Sequence, residues 1–173
     1  MHVIVLVAHK KGEDVDNIMY PYLFDSEEYY AVDEEFTLEE AVEYIKKCGS
    51  YNNEVTPLEN IRDFFAFGTY QIDGNYVRSF ANPNGYFDYC GIGGRFNNRL
   101  IDHNGNGHSC IPVDKLNVLA LPFQKVYAFI DAYSQPISIL EEQCDVMEEY
   151  LKVKEWEEIY AGKIYFTIVD AHI

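Results

Sequence analysis

The sequence predicts an α+β fold, with helices packed on one face of a mixed or antiparallel central sheet. Three observations predict it. Both chain ends carry long apolar β-branched runs, "HVIVLVAH" (2–9) and "KIYFTIVDAHI" (163–173). Between them lie two segments with helical spacing and capping signals, and a Gly- and Asn-rich middle that suits only short strands. The resulting order is strand, helix, small strands, strand, helix, strand, and the two terminal strands are expected as neighbours in the middle of the sheet.

The first run has apolar residues of both parities, which predicts a central strand covered on both sides, or on one side with a partner elsewhere. It has no basic segment before it and no small-residue cleavage site after it, so it reads as a strand rather than a leader, and a cytoplasmic protein with no membrane span is expected. From Glu13 to Glu43 the chain has 12 acids and no lysine or arginine. Residues of about 13–36 in this block read as an irregular, aromatic-rich excursion from a single domain spanning 1–173.

"TLEEAVEYIKKCG" (37–49) is a helix: Thr37 and Glu40 match a capping box, and Leu38, Ala41, Val42 and Ile45 share a face. Lys46 and Lys47 complement the dipole of the last turn, and Gly49 can end it. "PLENIRDFFAFG" (57–68) reads as a short helix or irregular segment. In the middle, 69–113, the turn signals "DGN", "NPNG" and "NGNG" separate short strands, expected at "YQI", "YFDY" and "SCIPV". "KVYAFIDAY" (125–133) reads as a second central strand. Ser138 and Glu141 suggest a capping box opening a helix with Ile139, Leu140, Gln143, Met147, Tyr150 and Leu151 on one face, a break near 152, and Gly162 at its end.

Charge narrows the function classes. Twenty-nine acids against 13 bases leave −16, beyond the magnitude of about 2 to 8 common for a small domain. Such a surface repels a phosphodiester backbone, so direct nucleic-acid binding is disfavoured, and a basic host protein is a natural partner class. The four cysteines, Cys48, Cys90, Cys110 and Cys144, are widely and irregularly spaced, as expected of free thiols.

One stretch is out of keeping with the rest. Between Arg78 and His108 the fixed charges are Arg78, Arg95 and Arg99 against Asp88 and Asp102, a local +1. "GIGGR" (91–95) has neither the spacing of a dinucleotide-binding turn nor that of a phosphate loop, and no cofactor is predicted. Arg95 beside Gly93 and Gly94 can nonetheless hold an anion bidentately while peptide N–H groups add donors. The competing reading is a buried Arg95 paired with Asp88 or a helix acid, which leaves no vacant site. Cys90 with His103 or His108 would need a field that lowers the thiol pKa, and Cys90, His103, His108 and Cys110 lack zinc-knuckle spacing, so no metal is predicted. Adjacent acid pairs such as Glu27/Glu28 and Glu148/Glu149 read as solvated faces. Asp170 and His172, two apart at the end of the last strand, fall on one side of it, where the carboxylate can orient the imidazole.

"FANPNGYFDYCGIGGRFNNRL" (80–100), with the opening run and the closing "VDAHI", resembles a family of uncharacterised phage and prophage-associated proteins. Their signature is an Asn-Pro segment, an aromatic–Asp–aromatic unit and Ile-Gly-Gly-Arg-aromatic. The resemblance carries Asn82, Pro83, Asp88, Gly93, Gly94, Arg95, Asp170 and His172 as signature positions and assigns them no chemistry. Tryptophans usual in that family are here Phe87, Tyr89 and Phe96. It implies an accessory protein that acts by binding, with a host protein as partner. The alternatives are a small-ligand binder or enzyme for a nucleotide or other anion, built on Asp88, Tyr89, Gly93, Gly94, Arg95, Asp170 and His172, or a purely architectural signature.

Overall fold

A computed structural model of the chain describes residues 1–66, 70–131, 144–160 and 163–173. Its strands are β1 (His2–Lys10), β2 (Ala31–Thr37), β3 (Tyr70–Asp73), β4 (Tyr76–Ala81), β5 (Tyr89–Ile92), β6 (Leu100–Ile101), β7 (Gly107–His108), β8 (Cys110–Pro112), β9 (Lys125–Val126), β10 (Ala128–Asp131), β11 (Cys144–Asp145) and β12 (Ile164–His172). The α-helices are α1 (Val15–Met19), α2 (Leu38–Lys47), α3 (Pro57–Phe64) and α4 (Val146–Tyr160). The fold is α+β, with helices packed against a central mixed sheet. Where the sequence suggests one domain, contacts gather the chain into two compact units: a terminal unit of Met1–Leu23 with Tyr86–Ile173, and an inserted unit of Phe24–Gly85.

The terminal unit is organised by β1 and β12, which run antiparallel in unbroken register from His2↔His172 to Lys10↔Ile164. The expected adjacency of the two end strands is thus present. β10 pairs with the other edge of β1 in parallel, and β12 is flanked by β5 beside its last residues and β8 beside its first. Side chains alternate across this sheet. Leu6, Ala8, Ile164, Phe166 and Ile168 meet Val146, Tyr150 and Val153 of α4 on one face. On the other, Val3, Val5, Val7, Val169 and Ala171 meet Phe87 and Val15 and Met19 of α1. Both faces are covered, which is why β1 tolerates apolar residues at every position.

Several segments differ from the sequence reading. Among the described residues β10 lies at the end of the strand order, and residues 125–126 pair with β11 instead of extending it. Helix α4 is continuous through 152, its N-terminus capped by Asp145, which accepts from the N–H groups of Met147 and Glu148 (2.9 and 3.2 Å). Leu151, expected on the buried face, is 54% exposed, while Val153 is buried. The Ser138–Glu141 capping box and Gly162 lie outside the described residues. The segment 13–36, expected to be irregular, holds α1, two 3-10 turns and most of β2. In the middle, a strand occupies 89–92 rather than 86–89. Among the described residues, no helix is long and apolar enough to cross a membrane.

The inserted unit is a three-stranded antiparallel sheet, ordered β2–β4–β3, with α2 and α3 against it around Ala41, Ile45, Ile61, Phe65 and Val77. Its two helices start identically. Thr37 accepts from the Glu40 N–H and Glu40 accepts from the Thr37 N–H, and Thr56 and Glu59 repeat the arrangement. Arg78 on β4 bridges Glu35 and Asp73, both at 2.5 Å. Replacing Thr37 with Ala should cost about 1 kcal/mol, the usual contribution of such a cap, read as a lower denaturation midpoint without a change in slope.

Candidate functional site

The conspicuous segment is bound to the end of the central sheet. β5 lies against the last residues of β12, pairing Tyr89 with His172 and Gly91 with Asp170. Phe87, just before it, is fully buried against the α1 side. After Ile92 the chain turns away beside the middle of β12, at Ile168, and it does so through Gly93 at φ 72° and Gly94 at φ 46°. A Cβ on Gly94 would overlap the Asp170 side chain, so both the positive φ and the close approach demand glycine. The turn is anchored by the Gly93 N–H to the Ile168 carbonyl (2.8 Å) and by the Arg95 N–H to Asp170 Oδ2 (2.9 Å).

Asp170 is 6% exposed and holds two donors at once. Its Oδ1 lies 2.7 Å from His2 Nδ1. Burial works against its ionisation. The Arg95 N–H, the His2 hydrogen bond and the nearby charge of Arg95 outweigh burial and hold the carboxyl below the usual carboxylate range. An ionised carboxylate only accepts, so His2 Nδ1 carries a proton and, in the neutral ring, Nε2 offers a lone pair. That nitrogen faces the Tyr89 hydroxyl at 3.2 Å. His172, whose ring meets that of His2 edge-on at 5.2 Å, is held the same way, its Nδ1 2.8 Å from Asp88 Oδ2. The Tyr89 ring stacks on His172 with centroids 5.2 Å apart at 4°, and meets His2 edge-on at 5.9 Å. His172 Nε2 lies 3.1 Å from the Met1 amine. Tyr89 is half exposed and contacts two imidazoles that also touch each other, each fixed by its own carboxylate.

All seven residues singled out in the sequence meet here, with changed partnerships. Arg95 is not buried and does not pair with Asp88. Its guanidinium is exposed, with no carboxylate within ion-pair distance among the described residues, because it is the Arg95 peptide N–H, not its side chain, that reaches Asp170. Asp88 instead takes His172. Asp170 orients the imidazole of His2, not that of His172 two positions away. His2 is the residue that sequence reasoning missed. The signal was its place opposite His172 in two end strands expected to be neighbours, which sets it diagonally across from Asp170.

The remaining candidates go elsewhere. Arg78 serves the inserted unit, and Arg99 lies over the Phe96 ring at 5.4 Å. His108 pairs with Asp102 (3.2 Å) rather than with a cysteine. Burial, and secondarily the Asp16 charge, pushes the Cys90 thiol up to about 11, the opposite of what a nucleophile needs. Among the described residues, no group of three or more His, Cys, Asp or Glu converges as a metal would require.

The chemistry open to the cluster is acid–base. Asp170 fixes His2, His2 addresses the Tyr89 hydroxyl, and the exposed Arg95 side chain springs from the peptide that donates to Asp170. Compared with protein-family models, curated proteins and solved structures, the chain gives no match.

Because the folded pKa of Asp170 lies below its unfolded value of about 3.9, its stabilisation is complete above that pH and fades as pH falls through the folded value. Urea midpoints measured from pH 7 to pH 2 should therefore show Asp170→Asn less stable at neutrality and less sensitive to acid than the wild type. Mass spectrometry after brief iodoacetamide treatment at pH 8 should find Cys48 and Cys110, both exposed, alkylated well before Cys90 and Cys144, whose thiols burial pushes up.

Proposed function

We propose that this protein binds a small anionic ligand, a nucleotide or another phosphate- or carboxylate-bearing molecule, at the Arg95–His2–Tyr89 cluster, with acid–base capacity directed at the bound ligand. One observation carries the reading: the Arg95 guanidinium is exposed and unpaired among the described residues while its own peptide N–H is locked onto the buried Asp170. An arginine with a purely architectural role would be expected to pair inside. This one is placed by its backbone and left available, and a guanidinium fork suits a carboxylate or phosphate. His2 Nε2 and the Tyr89 hydroxyl then supply a proton acceptor and donor in a fixed tautomer. Asp88 and His172 hold the Tyr89 ring from behind, and its exposed half offers a face on which a planar group can stack.

We place the protein in the cytoplasm of a phage-infected or prophage-carrying cell, as an accessory protein. The resemblance of "FANPNGYFDYCGIGGRFNNRL" to phage-associated sequences supports the setting, and four free cysteines suit a reducing compartment.

Thermal melting with inorganic phosphate, mono- and triphosphate nucleosides and dicarboxylates tests the site. At least one of these ligands should raise Tm, by linkage worth about 2.7 kcal/mol at a hundredfold excess over Kd. Arg95→Ala should abolish the shift, and Tyr89→Phe should leave much of it, since phenol chemistry rather than anion capture is lost. Unchanged curves across the panel would remove the proposal.

A further inference from the structure

The inserted unit has a feature independent of the polar cluster. Between the first halves of α2 and α3 lies an open groove of about 660 Å³ lined by Leu38, Val42, Pro57, Leu58 and Ile61, with Glu39 and Glu43 among its edge residues. We propose that this groove docks an amphipathic helix of a protein partner whose apolar stripe is flanked by lysine and arginine.

The floor argues for a side-chain stripe rather than a small molecule. A small-ligand pocket needs a few converging polar groups to fix orientation. Here the hydroxyl in the lining belongs to Thr56, which donates to Glu59 (2.7 Å) and accepts from the Glu59 N–H (3.2 Å), so it is consumed by the α3 cap. What remains is aliphatic surface, and Leu58 is 38% exposed at its edge. Such a surface takes the i, i+3, i+7 anchors of a helix.

Charge selects the partner. The inserted unit holds 13 acids against four bases, a net −9 in 62 residues. Glu40 and Glu59 are bound into their capping boxes, but Glu39 and Glu43 stand on the rim, and no lysine or arginine lines the groove. Lys46 reaches Glu43 (2.9 Å), an exposed pair that an incoming cation can replace at little cost. A second copy of the chain would bring the same negative charge to the contact, and anionic membranes and nucleic acids are repelled. A basic rim around an apolar stripe is complementary on both counts.

Isothermal titration of the full chain tests this with three synthetic peptides. One has leucines at i, i+3 and i+7 flanked by lysine and arginine, the second has glutamate in place of the basic residues, and the third scrambles the first. The basic amphipathic peptide should bind at least about tenfold more tightly than the others, and its affinity should fall as salt rises. Leu58→Glu, at a partly exposed position compatible with the first turn of α3, should weaken it by a similar factor, with circular dichroism unchanged. The double variant Glu39→Lys/Glu43→Lys should also weaken it while leaving the apolar floor intact. Equal binding of the scrambled peptide, or binding indifferent to both variants, overturns the proposal. So does a wild-type dimer in sedimentation that Leu58→Glu converts to monomer, which would give the groove to a second copy.

Discussion

The pairing of β1 with β12 is the constraint on which the terminal unit depends. Nine residue pairs join the two ends of the sequence, and both strands are buried on both faces over most of their length. Closing a loop that long is entropically costly and is offset only if burial is dense. The predominance of aliphatic and aromatic residues in both strands supplies that density. The same register that satisfies the backbone puts His2 opposite His172 and one diagonal from Asp170, so the polar cluster is a consequence of how the core closes. A slip of one residue would send those side chains to the opposite face.

The double-glycine corner joins fold and chemistry. Gly94 must be glycine because the turn passes against Asp170, and that passage is what presents the Arg95 N–H to the carboxylate. The corner and the Asp170 cluster therefore share one stretch of backbone. The backbone makes the corner, and making it releases the guanidinium. Asp170 is buried, yet stays ionised because two donors and the nearby Arg95 charge compensate its desolvation. Tyr89 packs against two imidazoles that are each fixed by a carboxylate, the kind of preorganisation an acid–base site uses.

Charge is apportioned unevenly. The inserted unit carries more than half of the net negative charge in little more than a third of the residues. Its two helices use part of that excess locally, in matched capping boxes. The remainder edges an aliphatic groove. In the terminal unit, by contrast, Asp170 and Asp88 are each matched to a histidine, and the Arg95 guanidinium has no carboxylate within ion-pair distance among the described residues.

Local chemistry was legible from residues alone: the Thr37–Glu40 box, the helix it starts, the end strands and the turn glycines all follow from short-range rules of spacing and steric freedom. The second capping box at Thr56–Glu59 follows the same rule but is brief enough to be read as an irregular segment. The seven candidate site residues also stood out, because glycine pairs, an isolated arginine and an Asp-x-His strand end are unusual in so acidic a chain. Their partners were not legible. Which carboxylate orients which imidazole, whether Arg95 uses its guanidinium or its peptide N–H, and that His2 belongs to the cluster at all depend on residues far apart in sequence brought together by strand register. Sequence determined which elements form and which residues are chemically distinctive, since those depend on neighbours within a few positions. Only the tertiary structure decided the pairings, because a hydrogen bond is set by distance and direction across strands, and no local pattern encodes these.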